Sequence, residues 1–184
     1  MDFLKREDTS LVVVDMQERL MSAMPEINSS SAVKNVKILL ESARILDMPV
    51  NITEQYPKGL GPTIEDIKES VGDGFNPIEK VVFSCARVEE FKSALNDLGR
   101  SSVLLAGVET HVCVLQTAID LVNEGYGVYV PADAVVSRKE LDWRKGIELM
   151  ERAGAVVGTT EAFLFQLLER AGTDEFKQIS RLVR

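Results

Sequence analysis

Short apolar runs alternate with longer segments of helical period along almost the whole chain, and that alternation limits the fold more than any other feature. The runs Leu11–Met16, Val50–Glu54, Ile78–Ser84, Ser102–Gly107, Gly127–Ala132 and Val156–Thr159 are each of strand length. Between the first two, Val33, Val36, Ile38, Leu39, Ala43 and Leu46 recur at helical spacing, so a helix is expected over Ala32–Leu46 behind the Ser29–Ser31 cluster. Further helices are expected at Thr63–Val71, with Thr63 and Asp66 at capping-box spacing, at Val88–Leu98, and from just after Gly107 to Val122. Lys139–Ala153, Glu161–Ala171 and Asp174–Leu182 complete the set. Apolar strands joined by helical crossovers call for a parallel sheet covered on both faces. The expectation is an α/β, three-layer, doubly wound sandwich, with residues 1–184 forming a single domain.

Composition narrows the function classes. With 45% hydrophobic and 27% charged residues, the 184-residue chain is of soluble globular type, and no segment approaches the roughly 18 apolar residues of a membrane span. The beginning, MDFLKREDTS, has neither an apolar signal core nor an Arg-rich transit pattern, so the cytoplasm is expected. Two cysteines fit reduced thiols better than a disulfide framework. A net charge of -8 with no basic stripe disfavours a nucleic-acid partner.

Chemistry in an open parallel sheet collects at the carboxyl ends of the strands, where strand order reverses. Asp15 ends the run VVVD, where a carboxylate is costly unless it has partners or enters a polar crevice; capping the next turn is the plain alternative. Gln17 adjoins it. Cys113 lies near the start of the helix after the fourth strand, where free N–H groups and the helix dipole favour an anion. Its apolar neighbours Val112, Val114 and Leu115 equally suit a small core thiol, and position alone does not decide. Lys80 interrupts Ile78–Phe83, either as a lysine that blunts an edge strand or as a cation favouring thiolate and carboxylate.

His111 is the sole histidine, which limits metal and triad readings, since a zinc site usually needs three or four ligands and no second His or cysteine cluster supplies them. A dyad with Cys113 is unfavourable, since residues two apart on a helix diverge. Cys85 suits packing or a pocket rim, and Gln55 and Tyr56 either line the same crevice or form a simple turn. GLG at Gly59–Gly61 and GDG at Gly72–Gly74 lack the context of phosphate loops.

LVVVDMQ, Lys80 ahead of VVFS, TEQYPKGLGPT and LLAGVETHVCVLQTAIDLVNEGYGVYVPADAV together resemble the isochorismatase-like cysteine hydrolases, in particular their metal-free branch. GVxTxxCVxxTAxD is the most specific of these patterns, and the resemblance covers nearly the whole chain. It implies a six-stranded parallel sheet of order 3-2-1-4-5-6, a homo-oligomer, a small-molecule substrate, and no cofactor. It further implies a catalytic triad of Asp15 as base, Lys80 as orienting cation and Cys113 as nucleophile. A cis peptide between Val108 and Glu109 would turn the Glu109 N–H, with that of Cys113, towards an oxyanion. Metal-binding nicotinamidases carry Asp and His ligands around the loop after the second strand, where this chain has TEQYPKGLG and no histidine. The implied activity is hydrolysis of a C–N, amide-like bond through a thioester. The competing reading is a non-catalytic oligomeric ligand-binding or scaffold protein of the same fold.

Overall fold

The computed structural model describes residues 3–184. At its centre lies β1 (Thr9–Val14), buried at every position. A strand with no exposed face must be covered on both sides, and its alternation divides the packing. Leu11 and Val13 join one apolar cluster, Val12 and Val14 the other. Beside it β4 (Ser102–Val108) does the same, sending Leu104, Ala106 and Val108 one way, Val103 and Leu105 the other. Helices α2 (Glu26–Ile45), α8 (Thr160–Leu168) and α9 (Asp174–Leu182) cover the first face. The second is covered by α5 (Glu89–Asp97), α6 (Leu115–Asn123) and α7 (Glu140–Ala153).

With β2 (Val50–Gln55), β3 (Ile78–Lys80), β5 (Gly127–Pro131) and β7 (Val156–Gly158), the main path runs β3-β2-β1-β4-β5-β7, every pairing parallel. The two-residue β6 (Val135–Val136) pairs with the end of β4 at Gly107 and Val108, giving a seven-stranded sheet among the described residues. The expected order therefore holds for the main path, and the strand expected as the sixth is β7. Two residues are too few for an alternation to announce β6.

Several local expectations need correction. Short helices α1 (Glu18–Ser22) and α3 (Pro57–Leu60) form where no helix was expected, and α2 begins at Glu26, with the serines inside it. The capping box at Thr63 and Asp66 does not form; α4 (Glu65–Val71) starts after Ile64, and Thr63 N and Oγ1 both donate to Glu54 Oε1 at 2.7 Å. The strand β3 ends at Lys80, not Ser84, because the next three residues bend to bring their carbonyls to side chains at the sheet end.

Order reverses between β1 and β4, and this pair is packed unusually close. Val14 lies in register with Gly107, which has φ +116°, and a Cβ there would sit 2.1 Å from the Val14 carbonyl oxygen. No helix of the described residues is long and apolar enough to cross a membrane.

Candidate active site

Three strand ends deliver their side chains to one point beside that reversal. Asp15 follows β1 in a left-handed conformation, φ 50°, which a short polar side chain tolerates better than most. Its N–H donates to the Thr53 carbonyl at 3.1 Å, and its own carbonyl accepts from Gln17 N at 2.7 Å. Its carboxylate is thereby placed among donors: Thr53 Oγ1 reaches Oδ1 at 2.7 Å and Lys80 Nζ reaches Oδ2 at 2.6 Å. Both charged side chains are fully buried. Lys80 Nζ also donates to Gln55 Oε1 at 2.8 Å, to the Phe83 carbonyl at 3.0 Å and to the Val82 carbonyl at 3.4 Å.

Lys80 thus sits on the edge strand, yet its side chain points inward. Burial works against its charge, but the Asp15 carboxylate and the thiols of Cys85 and Cys113 outweigh it, and the ammonium is held above its ordinary value. An ion pair so deeply desolvated contributes little net stability, but removing one partner strands the other.

Cys113 approaches from the far side of the reversal. After β4 the Val108–Glu109 peptide is cis, and Thr110–Val114 forms a π-helical segment that leads into α6. The N–H groups of Val112 and Val114 both donate to the Glu109 carbonyl, at 3.1 and 3.2 Å. Wide π turns recur at functional sites, where they re-aim a side chain. Here the segment brings the buried Cys113 thiol near enough to the Asp15 carboxylate to feel its charge.

The resting ionisation differs from the expectation that Lys80 and the helix start hold a thiolate. Burial above all, then the Asp15 charge, pushes the Cys113 thiol up; Lys80 only partly opposes them. The carboxylate, not the sulfur, is the anion that the lysine compensates. Cys85 is fully buried, its Sγ 3.6 Å from Thr53 Oγ1, and burial together with Asp15 pushes it to about 11.

The expected pocket residues separate. Gln17 is a brace: fully buried, it accepts from Gln55 N at 2.7 Å and donates to the carbonyls of Gln55 and Gly61 at 3.0 and 2.7 Å. Gln55 is a second brace, accepting from Lys80 and donating to the Val81 carbonyl at 2.8 Å. Tyr56 is exposed at the rim, its N–H donating to the Lys80 carbonyl at 2.8 Å. Beside it the run Val81, Val82 and Phe83 is exposed, Val81 to 75% and Phe83 to 51%.

Sequence reasoning passed over Thr53, Ser137 and Arg138. Thr53 orients Asp15; Ser137 Oγ lies 2.9 Å from His111 Nδ1; Arg138 Nε donates to Glu109 Oε1 at 2.9 Å. The only advance signal was the placing of Thr53 near the end of the second strand.

Residues 9–162 match the family model described as the isochorismatase domain. Isochorismatase domain-containing protein 2A of Mus musculus is 36% identical over 184 residues, spanning 97% of this chain and 84% of its own. The structure of MAR1 ribonuclease from Caenorhabditis elegans superimposes with a TM-score of 0.91 at 34% identity, covering 99% of this chain and 92% of that one. The Escherichia coli YcaC gene product, described as an octameric hydrolase of unknown specificity, shares the fold with a TM-score of 0.90 at 24% identity, covering 98% of this chain and 90% of that one. With the family model matching most of its length and relatives similar throughout, this chain belongs to the isochorismatase-domain family of hydrolases.

Proposed function

We propose that this protein is a cysteine-dependent hydrolase that cleaves a C–N, amide-like bond of a small molecule through a thioester. One observation carries the reading: a buried carboxylate, neutralised by Lys80 and aligned by Thr53, lies close enough to the buried Cys113 for its charge to push the thiol up. A nucleophile with a base beside it, and a third group orienting the base, is the arrangement covalent catalysis requires.

The steps follow from the ionisation. Asp15 takes the thiol proton as Cys113 Sγ attacks the carbonyl carbon, so a thiol pushed up by burial is activated only when substrate is in place. The N–H groups of Glu109 and Cys113 stabilise the tetrahedral oxyanion. Asp15 then protonates the leaving amine and the C–N bond breaks, leaving an acyl thioester. Water, giving its proton to Asp15, attacks the thioester; the acid departs and Asp15 returns the proton to Cys113. Lys80 keeps its proton throughout and holds the charge in which these transfers occur.

The wider assignments rest on the same site. The exposed apolar run Val81–Phe83, next to Lys80, is the kind of patch that marks an interface, and supports a homo-oligomer. Two free cysteines fit a reducing, cytoplasmic setting. The deciding experiment is a panel of small amides and ureides assayed with wild type beside Cys113→Ala. Turnover of any of them by wild type and not by the variant is expected; turnover that survives the substitution rejects the mechanism.

The ribonuclease description of the C. elegans protein favours a second reading, RNA cleavage. The net charge of -8 weighs against it, since phosphate contacts supply most nonspecific RNA affinity. RNA degradation by the pure protein that falls with Cys113→Ala, or with Asp15→Asn, would replace the small-molecule reading.

A further inference from the structure

The segment joining β4 to α6 is gripped at two nearby points from one neighbouring stretch of chain. At its start, Glu109 Oε1 accepts from Arg138 Nε at 2.9 Å and from Arg138 N at 3.4 Å. Two residues on, His111 Nδ1 shares a hydrogen bond with Ser137 Oγ at 2.9 Å, an interaction either tautomer can make. Ser137 and Arg138 are consecutive, between β6 and α7. Between the grips α7 comes very close: a Cβ on Gly146 would lie 3.0 Å from the Thr110 carbonyl oxygen and 3.1 Å from His111 N and Cα.

These contacts converge on the residues that span the two N–H groups assigned to the oxyanion. As sources of stability they are weak. The Arg138 side chain is 57% exposed, and ion pairs of that kind add little to stability. As constraints they are strong, because donors act only when held about 2.7–3.1 Å from the oxyanion position, and small misplacements cost rate.

We propose that Glu109 and His111 are positioning residues, whose bonds to Arg138 and Ser137 hold this segment so that the N–H groups of Glu109 and Cys113 converge on one oxyanion. The proposal rests on the cysteine-hydrolase reading above. It assigns the Glu109 side chain and the sole histidine a part in the rate without contact with substrate.

The test pairs two reagents. p-Nitrophenyl acetate develops an oxyanion when the thiol attacks it and again when water attacks the acyl-enzyme; iodoacetamide alkylates the same sulfur without one. Glu109→Ala, His111→Ala and Ser137→Ala should each lower kcat on the ester about 10- to 100-fold, with KM and the Cys113 alkylation rate within about twofold of wild type. Glu109→Gln, which keeps an acceptor for Arg138, and His111→Asn, which keeps a polar atom near the place of Nδ1, should recover most of the loss. His111→Ala and Ser137→Ala combined should cost little more than either alone. If Glu109→Ala does not fold, Ser137→Ala carries the test, since it alters nothing on the gripped segment. Unchanged kcat in folded alanine variants, or kcat and alkylation falling in parallel, overturns the proposal. Ester turnover that survives Cys113→Ala is a different failure, that of the underlying mechanism.

Discussion

Replacing Asp15 by Asn should make Cys113 more reactive towards a simple alkylating agent while abolishing turnover. In the wild-type site the thiol is pushed up by burial and by the Asp15 carboxylate, and only Lys80 opposes them. The substitution is nearly isosteric but removes the negative charge, leaving the Lys80 ammonium without its anion. Two unit charges about 4 Å apart interact by about 4 kcal/mol at an effective dielectric of about 20, equivalent to about three pKa units. Burial is unchanged. Allowing for relaxation around Lys80, the thiol should fall by one to three units, to order of magnitude, and its thiolate fraction near neutral pH should rise about 10- to 1000-fold. The assay is the pseudo-first-order rate of iodoacetamide labelling near neutral pH, with the labelled cysteine identified by peptide mass spectrometry to separate Cys113 from Cys85. In wild type the rate should keep climbing with pH past the ordinary thiol value of about 8.5. In Asp15→Asn it should be at least about tenfold faster near neutrality, while amide turnover drops by about 100-fold or more for want of a base. A folded variant that labels no faster than wild type would show that the carboxylate does not hold the thiol protonated.

Lys80→Met leaves the Asp15 carboxylate buried without its cation, and should cost about 3–5 kcal/mol in denaturant unfolding at neutral pH; a loss under about 1 kcal/mol would mean that solvent reaches the site. Gly107→Ala meets the Val14 carbonyl at 2.1 Å from a left-handed backbone, so strain and overpacking together should cost about 3 kcal/mol or more. Gly125→Ala, with φ +92° but open space around it, should cost about 1–2 kcal/mol, and equal losses at the two positions would refute the close β1–β4 approach. Val81→Ser combined with Phe83→Ser should lower the apparent mass by light scattering if the exposed apolar run is an interface; an unchanged oligomer would place the interface elsewhere.

The fold was legible because its information is periodic. The buried β1 and β4 are continuous apolar runs, and the helices around them carry a clear apolar stripe, so the class followed; the strand order came only from the family resemblance. What failed was aperiodic. β6 has two residues, and α1 and α3 have five and four, too short to set a pattern. The end of β3 was misplaced because VVF looks like strand; its carbonyls are turned instead to Lys80 and Gln55, a tertiary demand that no local propensity encodes. At the site, Asp15, Lys80 and Cys113 were conspicuous as polar residues inside apolar runs. Gln17 and Gln55 were equally conspicuous, but their amides are spent on backbone groups and on Lys80, and a sequence cannot distinguish a braced polar residue from one that waits for substrate.

The arrangement of charge also explains why a lysine belongs at this place when it never gives up its proton. Before substrate binds, the buried groups are a carboxylate, an ammonium and a neutral thiol, with no net charge between them. On the proposed path the thiol proton moves to Asp15 as negative charge passes to the substrate oxygen, so the cluster still sums to zero. Without Lys80 the resting carboxylate would be an uncompensated buried anion, costly to keep beside the thiol. With Lys80 but without Asp15, the sulfur would gain thiolate character beside the cation, more reactive to small electrophiles but with no acid to protonate a leaving amine. Four acceptors share the three N–H groups of Lys80 Nζ and fix the cation in place, so losing Asp15 leaves its charge to act on the sulfur, and the site is expected to label faster and turn over more slowly.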